Sequence, residues 1–482
     1  MGDMEEVVVQ PLSFDRLAAL LPDERAQRFE DAAEQARAVF GDRVVWHVNA
    51  TARGGGVAEM LQTLLAYGKG AGIENRWLVL DGDPRFFGVT KRLHNALHGV
   101  QGDGGPLGPA EHAHYDATLR SNRDDLVRRI APGDIVLLHD PQTAGLVDAV
   151  RETGASAIWR CHVGSDDVND RTHEAWAFLR PYLEHAQALV FSRRDYAPEW
   201  VGDERLVVIP PSIDPFAVKN MPLDPEKVVG LLVGAALLRD GGRQRSVEFI
   251  RRDGSRGTLW PRDGSQGILL DGAPPPAEAP LVVQVSRWDR LKDMPGVMEG
   301  FVTALCDDDL AGAHLLLAGP ETSGVSDDPE GAQVLDECQE EWRHLPDAVR
   351  ARVHLAAIPM KDGDENAVIV NALQRHAAVV VQKSLVEGFG LTVTEAMWKG
   401  RPVVASRVGG IQDQITDGRD GLLVDDPYDI DEYAGVLTRV LADAELAGRL
   451  GRSAHARVLD EYLGDRHLVQ YAELFSRVVS EP

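Results

Sequence analysis

Lysine is rare in this 482-residue chain: eight of the 50 basic residues, against 42 arginines. Cysteine is rarer still. Cys161, Cys306 and Cys338 are too few for a disulfide framework, and no CxxC occurs, so reduced thiols are expected. Long apolar runs are missing. The longest covers residues 228–238 and contains Gly230 and Gly234, where a bilayer span needs about 20 apolar residues. The opening residues, MGDMEEVVVQPLSFD, lack the basic and apolar regions of a signal peptide. The expectation is a cytoplasmic protein without membrane partners. An excess of base is also lacking. Asp and Glu total 76, giving a net charge of −26, which disfavours nucleic acid or an anionic membrane as the main partner. A small anionic ligand stays compatible if a few cations gather in one cleft.

Apolar residues make up 44% and charged residues 26% of the chain, enough for a sizeable core. Short apolar runs separated by helical stretches recur at 44–48, 77–80, 135–138, 157–160, 188–192 and 207–209. Such runs read as parallel strands buried on both faces. Helical patterns precede them at 14–21 and 23–39. A second series follows at 281–286, 314–318, 353–355, 378–382, 402–405 and 421–424, with helical patterns at 297–305, 368–375, 430–442, 446–461 and 467–479. Prolines 215, 222 and 225 mark a link between the two series. The expected fold is α/β: two doubly wound, Rossmann-like domains facing a central cleft. One spans 1–215 plus a C-terminal helix, about 465–482, packing back on it; the other spans 216–464. The Gly-, Arg- and Pro-rich stretch 239–278 fits neither pattern and reads as short strands or a surface insertion. Ligands of open α/β sheets bind beyond the carboxyl ends of strands.

Two loops at such ends carry glycines. After the first strand, Gly54, Gly55 and Gly56 lead into a helix with apolar residues at Val57, Met60, Leu61, Leu64 and Leu65. Helix-start N–H groups suit a phosphate, although a tight packing turn is equally compatible. Later, Glu387 precedes Gly388-Phe389-Gly390-Leu391-Thr392, and Glu395 falls about one turn into the following helix. A carboxylate in such a loop can accept from sugar hydroxyls, and Glu395 can accept from a ribose diol. Two carboxylates near a helix start, facing water, are the alternative.

The spacing Glu387-x7-Glu395, with Pro402-Val403-Val404-Ala405-Ser406-Arg407-Val408-Gly409-Gly410 after it, resembles the retaining GT-B glycosyltransferases of family 4. Ser286-Arg287-Trp288-Asp289-Arg290-Leu291-Lys292-Asp293 resembles that family's basic element, with Arg287 and Lys292 at the diphosphate-clamping positions. Four segments are similar to trehalose synthases of the glycosyltransferring type: 46–61, 86–95, 159–164 and 391–398. Trehalose phosphorylases of the fungal type share much of the pattern.

The resemblance implies interconversion of NDP-glucose plus glucose with α,α-trehalose plus NDP, with retained anomeric configuration. It implies small-molecule partners, no obligate cofactor and no metal site. The base preference, any stimulation by Mg2+ and formation of a homodimer stay open. It gives His139 a donor-sugar contact, Glu387 the donor hydroxyls, and Arg287 and Lys292 the leaving phosphate. Arg160 and His162 fall to the acceptor sugar or the phosphate side, and Lys91, His94 and Asn95 to a candidate acceptor pocket. Asp166-Asp167 and Asp307-Asp308-Asp309 read as solvated acid runs. A phosphorylase using glucose 1-phosphate and a catalytically inactive binding regulator are the alternatives.

Overall fold

The computed structural model describes residues 4–52, 56–241, 246–262, 268–307, 310, 312–322 and 329–480. Gly54 and Gly55, Asp308 and Asp309 lie outside the described residues. The chain divides into two units, Met1–Ile213 with Tyr462–Pro482, and Asp214–Glu461.

The first unit is built on strands β1 (Glu5–Val7), β2 (Val45–Asn49), β3 (Asn75–Val79), β4 (Ile135–His139), β5 (Ser156–Cys161), β6 (Ala188–Phe191) and β7 (Leu206–Val208). Their order is β1-β3-β2-β4-β5-β6-β7, parallel except for β1 at the edge. Successive side chains of a strand point to opposite faces, and the cores follow that rule. Trp46, Val48, Val136, Leu138, Trp159 and Phe191 enter one core with helices Pro84–Leu97, Pro109–Arg129 and Asp170–Leu183. Val45, Ile135, Leu137, Ile158 and Val190 enter the other. There they meet Ala36 and Phe40 of helix Asp23–Phe40, and Tyr471, Leu474, Phe475 and Val478 of the C-terminal helix Gly464–Ser480. Each such aliphatic side chain contributes about 1.5–3 kcal/mol when fully buried. Arg25 fixes the start of the C-terminal helix through Asp465, with bonds of 2.6 and 2.8 Å.

The second unit carries the hairpin β8 (Val247–Ile250) and β9 (Arg256–Leu259). Its main sheet comprises β10 (Leu269–Asp271), β11 (Leu281–Val285), β12 (His314–Pro320), β13 (Val353–Ile358), β14 (Val379–Gln382), β15 (Val403–Ser406) and β16 (Leu422–Val424). The order is β10-β13-β12-β11-β14-β15-β16, with only β10 antiparallel. The expected α/β class with two doubly wound sheets therefore holds. Sequence reading missed β1, whose acidic Glu5-Glu6 hides an edge strand. It also extended a helix over 14–21, where only Asp15–Ala18 is helical before Pro22 ends the turn.

In both sheets the strand order reverses at one place: between β2 and β4 in the first unit, and between β11 and β14 in the second. The crevice beyond such a switch point is where open α/β sheets bind ligands.

The stretch 239–278 contains the β8–β9 hairpin and the edge strand β10. Arginines pin it to the first turn of helix Gly363–His376. Arg251 pairs with Asp362 at 2.8 and 2.6 Å, Arg252 with Asp364 at 2.7 Å, and Arg262 with Glu365. Asp362 also caps that helix, accepting from the N–H groups of Asp364 and Glu365. The Arg251 hydrogen bond holds its carboxyl down to about 2. Asp362→Ala removes cap and staple together and should cost about 1–2 kcal/mol, read as a lower urea midpoint. No helix of the described residues is long and apolar enough to cross a membrane.

Candidate functional site

At the second unit's switch point, the loops after β11 and β14 are knitted together. Gln284, fully buried in β11, donates to the Lys292 carbonyl at 2.7 Å and accepts from the Lys383 N–H at 3.0 Å. The Leu385 N–H donates to the Leu291 carbonyl at 2.8 Å. Trp288 is buried over Gly319, and its indole N–H donates to the Pro320 carbonyl at 3.0 Å. Anchored this way, the β11 loop delivers Lys292 to Glu387, Nζ to Oε2 2.5 Å. The Ser384 hydroxyl donates to the same oxygen at 3.2 Å. Arg287 keeps 56% of its side chain exposed and pairs with Asp289 at 3.0 Å. Asp289 meanwhile caps the Leu291 N–H with its other oxygen. The structure thus brings together Lys292 and Glu387, 95 residues apart in sequence.

The glycines of the motif have distinct reasons. Gly390 enters helix Leu391–Trp398 with φ +84°, a left-handed conformation that glycine adopts without steric cost. Gly410 lies against Phe389, where a Cβ would meet the Phe389 Cα at 2.7 Å. Phe389 is buried, and Thr392 donates its hydroxyl to Gln382 at 2.9 Å, tying the helix start to β14. One turn on, Glu395 is buried. Its Oε1 lies 3.6 Å from Lys219 Nζ, and its Oε2 has no hydrogen-bond partner among the described residues. A buried carboxylate oxygen without a donor costs roughly 1–3 kcal/mol or more. It is an acceptor position that a ligand's hydroxyl would satisfy. Lys399 bonds the Glu395 carbonyl at 3.1 Å, with Gln374 and Asn220 as its other partners, and burial lowers its pKa. Four of the eight lysines, Lys219, Lys292, Lys383 and Lys399, therefore surround this motif. A separate polar cavity of about 760 Å³, lined by Arg252, Arg262, Lys361 and the carboxylates they face, opens beside the pinned insertion.

At the first unit's switch point stands a row of imidazoles. His47 Nδ1 lies 3.1 Å from His139 Nε2, and His139 Nδ1 lies 3.0 Å from His162 Nε2. Neighbouring rings lie edge to edge and 18° from coplanar, with centroids 5.4 and 5.3 Å apart. Arg160 closes the row. Its Nε donates to His162 Nδ1 at 3.3 Å, Nη1 to His467 Nε2 at 3.3 Å and to the Tyr471 hydroxyl, and Nη2 to the Ile209 carbonyl at 2.9 Å. Burial and the Arg160 charge hold His47 down to about 3. The same causes, with neighbouring imidazoles, keep His139, His162 and His467 well below the ordinary histidine range. Asp140 follows His139 with φ 63° and ψ 175°, a region used almost only by glycine and costing about 1–3 kcal/mol. Its carboxylate accepts from the His162 N–H at 2.8 Å, and burial raises its pKa to about 7.

This arrangement changes three expectations. His139 is fully buried with both ring nitrogens engaged, so its ring offers no nitrogen to a donor sugar. Arg160, expected on the acceptor, is likewise fully buried and bonded inward. His162 is half-buried, but its ring nitrogens are also occupied. Lys91 is exposed on helix Pro84–Leu97, and His94 packs edge-on against His98. Asn95 sits against the positive-φ Gly102. Gly56 begins helix Gly56–Gly70. Asp166 pairs with Arg193. Among the described residues no cluster of His, Cys, Asp or Glu could hold a metal ion. Sequence reasoning missed His47, Asp140, His467 and Tyr471. The only local signal was Asp140 directly after a strand-end histidine.

Known proteins decide the family. The family model described as "Trehalose synthase, N-terminal domain" matches residues 47–198, and "Glycosyl transferases group 1" matches 360–457. A trehalose synthase of Rubrobacter xylanophilus is 35% identical over 463 residues, covering 94% of this chain and 95% of that one. The chain belongs to the trehalose synthase family. Another family member, from Thermococcus litoralis, is 32% identical, with 95% of each chain covered. A trehalose phosphorylase of Pleurotus pulmonarius is more distant: 27% identical, over 86% of this chain and 54% of that one. Among solved structures, an α,α-trehalose-phosphate synthase (UDP-forming) from Burkholderia vietnamiensis superposes with TM-score 0.62. It has 16% identity and covers 91% of this chain and 98% of that one. A sucrose-phosphate synthase from Thermosynechococcus elongatus gives 0.61 at 17% identity, with 91% and 100% covered. The fold of this trehalose synthase-family chain is GT-B, and the chain is a hexosyltransferase. The first family match begins at His47 and takes in the whole imidazole row except His467. The second takes in Glu387 and Glu395 but not Arg287 or Lys292.

Proposed function

We propose that this glycosyltransferase interconverts NDP-glucose plus glucose with α,α-trehalose plus NDP, retaining the donor's anomeric configuration. The observation that carries the reading is Glu395 Oε2, a buried acceptor without a donor among the described residues, one turn into the helix that follows Glu387 of the Lys292–Glu387 pair. A ribose diol supplies the missing donors. The diphosphate then lies toward the start of helix Leu391–Trp398, the partly positive end of a helix and so suited to an anion, with Arg287 and Lys292 as its cations. Glu387, neutralised in part by Lys292, orients donor hydroxyls. The second unit takes the nucleotide sugar, and the first takes the acceptor near the β2/β4 switch point.

In the transfer, the bond from the anomeric carbon to the phosphate oxygen breaks, and a bond to the acceptor's anomeric oxygen forms on the same face. The acceptor's hydroxyl proton passes to the departing phosphate. Negative charge grows on that phosphate, which is where preorganised cations lower a barrier.

Purified protein is incubated with trehalose plus ADP, UDP or GDP, with and without Mg2+, and separately with trehalose plus inorganic phosphate. NDP-glucose is the expected product. Glucose 1-phosphate made only with phosphate would replace the reading by phosphorolysis, and nucleotide binding without reaction would replace it by a regulator. Glu395→Gln keeps the shape and one acceptor but loses the charge. It should raise the KM for the nucleotide about tenfold with little change in kcat, a loss near that of one charge-assisted hydrogen bond.

A further inference from the structure

The imidazole row has a direction, and one residue sets it. A guanidinium carries five N–H donors and no acceptor, and it stays protonated in proteins. Arg160 donates to His162 Nδ1 and to His467 Nε2, so both nitrogens must present lone pairs. A neutral imidazole has one N–H. His162 is therefore the Nε2–H tautomer and donates to His139 Nδ1. His139 in turn must carry its proton on Nε2 and donates to His47 Nδ1. His47 is left with its N–H on Nε2, which has no hydrogen-bond partner among the described residues. On the other branch, His467 carries its proton on Nδ1 and donates to the Ser212 hydroxyl, 2.8 Å away. Without a compulsory donor, a row of neutral imidazoles could run in either direction. Arg160 is itself held by the Ile209 carbonyl and by Tyr471, whose ring it also overlies at 5.5 Å.

We infer that Arg160 is a positioning residue: it locks His162, His139 and His47 in the Nε2–H form, so that His47 presents an N–H to an oxygen of the sugar bound in the first unit. The sugar half of this inference rests on the acceptor assignment proposed above; the tautomer half rests on geometry alone. It also gives the C-terminal helix a task beyond packing. Through His467 and Tyr471, that helix fixes a guanidinium that reaches a ligand only by way of three rings.

The test is 15N imidazole spectroscopy on the full-length protein labelled at histidine, resonances being assigned by single substitution. At neutral pH, His47, His139 and His162 should show the Nε2–H pattern and His467 the Nδ1–H pattern, all uncharged. Saturating glucose or trehalose should shift the His47 Nε2–H resonance. Arg160→Gln, which can accept as well as donate, should let the Nδ1–H form appear at His162. It should raise the glucose KM about tenfold with kcat within about twofold. Tyr471→Phe, which leaves both imidazole donors of Arg160 in place, should leave all four tautomers unchanged even if stability falls. An Nδ1–H or charged form at His47, His139 or His162 in the wild-type protein overturns the proposal whatever binds. Correct tautomers, normal turnover and a His47 signal indifferent to sugar overturn the sugar contact. Absent turnover together with absent sugar binding overturns it by way of the acceptor assignment.

Discussion

Arg287→Ala should lower kcat about 100- to 1000-fold and shift Tm by less than about 3 °C. The two halves of this expectation have separate grounds. Arg287 is more than half exposed, and its side-chain partner among the described residues is Asp289, 3.0 Å away. Exposed pairs of this kind contribute about 0–1 kcal/mol to stability. Asp289 keeps its cap on the Leu291 N–H, so the loop that delivers Lys292 survives the change. An exposed arginine with so little structural work should be silent in a folding assay. A large kinetic effect would then mean that its charge is used on something absent from the resting protein, the leaving diphosphate. Glu387→Gln should also cripple turnover, but it is a less clean probe. Its carboxylate is largely buried against Lys292, so removing the charge disturbs both the fold and the site. Wild-type kcat in Arg287→Ala, measured at saturating substrate, would take Arg287 out of the site.

Much of this arrangement was legible in the sequence because parallel strands buried on both faces leave an apolar signature that needs no knowledge of their partners. Residues 135–138 read as a strand, and Ile135–His139 is one. The glycines of the Glu387 motif were legible for a related reason: Gly390 and Gly410 answer to steric demands set by Glu387, Phe389 and Ile411, all nearby in sequence. What stayed hidden is whatever long-range folding assembles. Arg160 and His467 are 307 residues apart, and nothing near either one announces the other. Each looked like a single polar residue beside a strand or in a helix. His139 was given a sugar contact by family resemblance and its place after a strand, and neither could reveal that its two ring nitrogens were already taken. The lysine shortage gained a meaning only with the fold, which gathers half of the lysines around one motif.

Acidification should destabilise the first unit steeply, by about 3–4 kcal/mol between pH 7.5 and 5.5. His47, His139, His162 and His467 are held neutral in the folded unit, while in the unfolded chain they titrate near 6.5. A lowered histidine pKa gives stability that is complete above that value and falls below it, because only the unfolded chain then takes up the proton. The loss approaches about 1.4 kcal/mol per pH unit for each histidine, and for His47 it continues down to about pH 3. Asp140 acts in the opposite sense. Its carboxyl, raised to about 7 when folded, binds a proton before the unfolded chain does, so its contribution grows as pH falls from about 7 toward the ordinary carboxylate range. Four protons against one leaves a net loss, large beside the 5–15 kcal/mol of a typical domain. Urea titrations followed at Trp46 and Trp159, both buried in this unit, read it directly. The midpoint should drop sharply between pH 7.5 and 5.5. His47→Gln, which removes one titrating ring, should make that drop shallower by about one proton's worth. A midpoint that stays level across the range would mean that the rings are charged or solvated, and that the guanidinium does not order them.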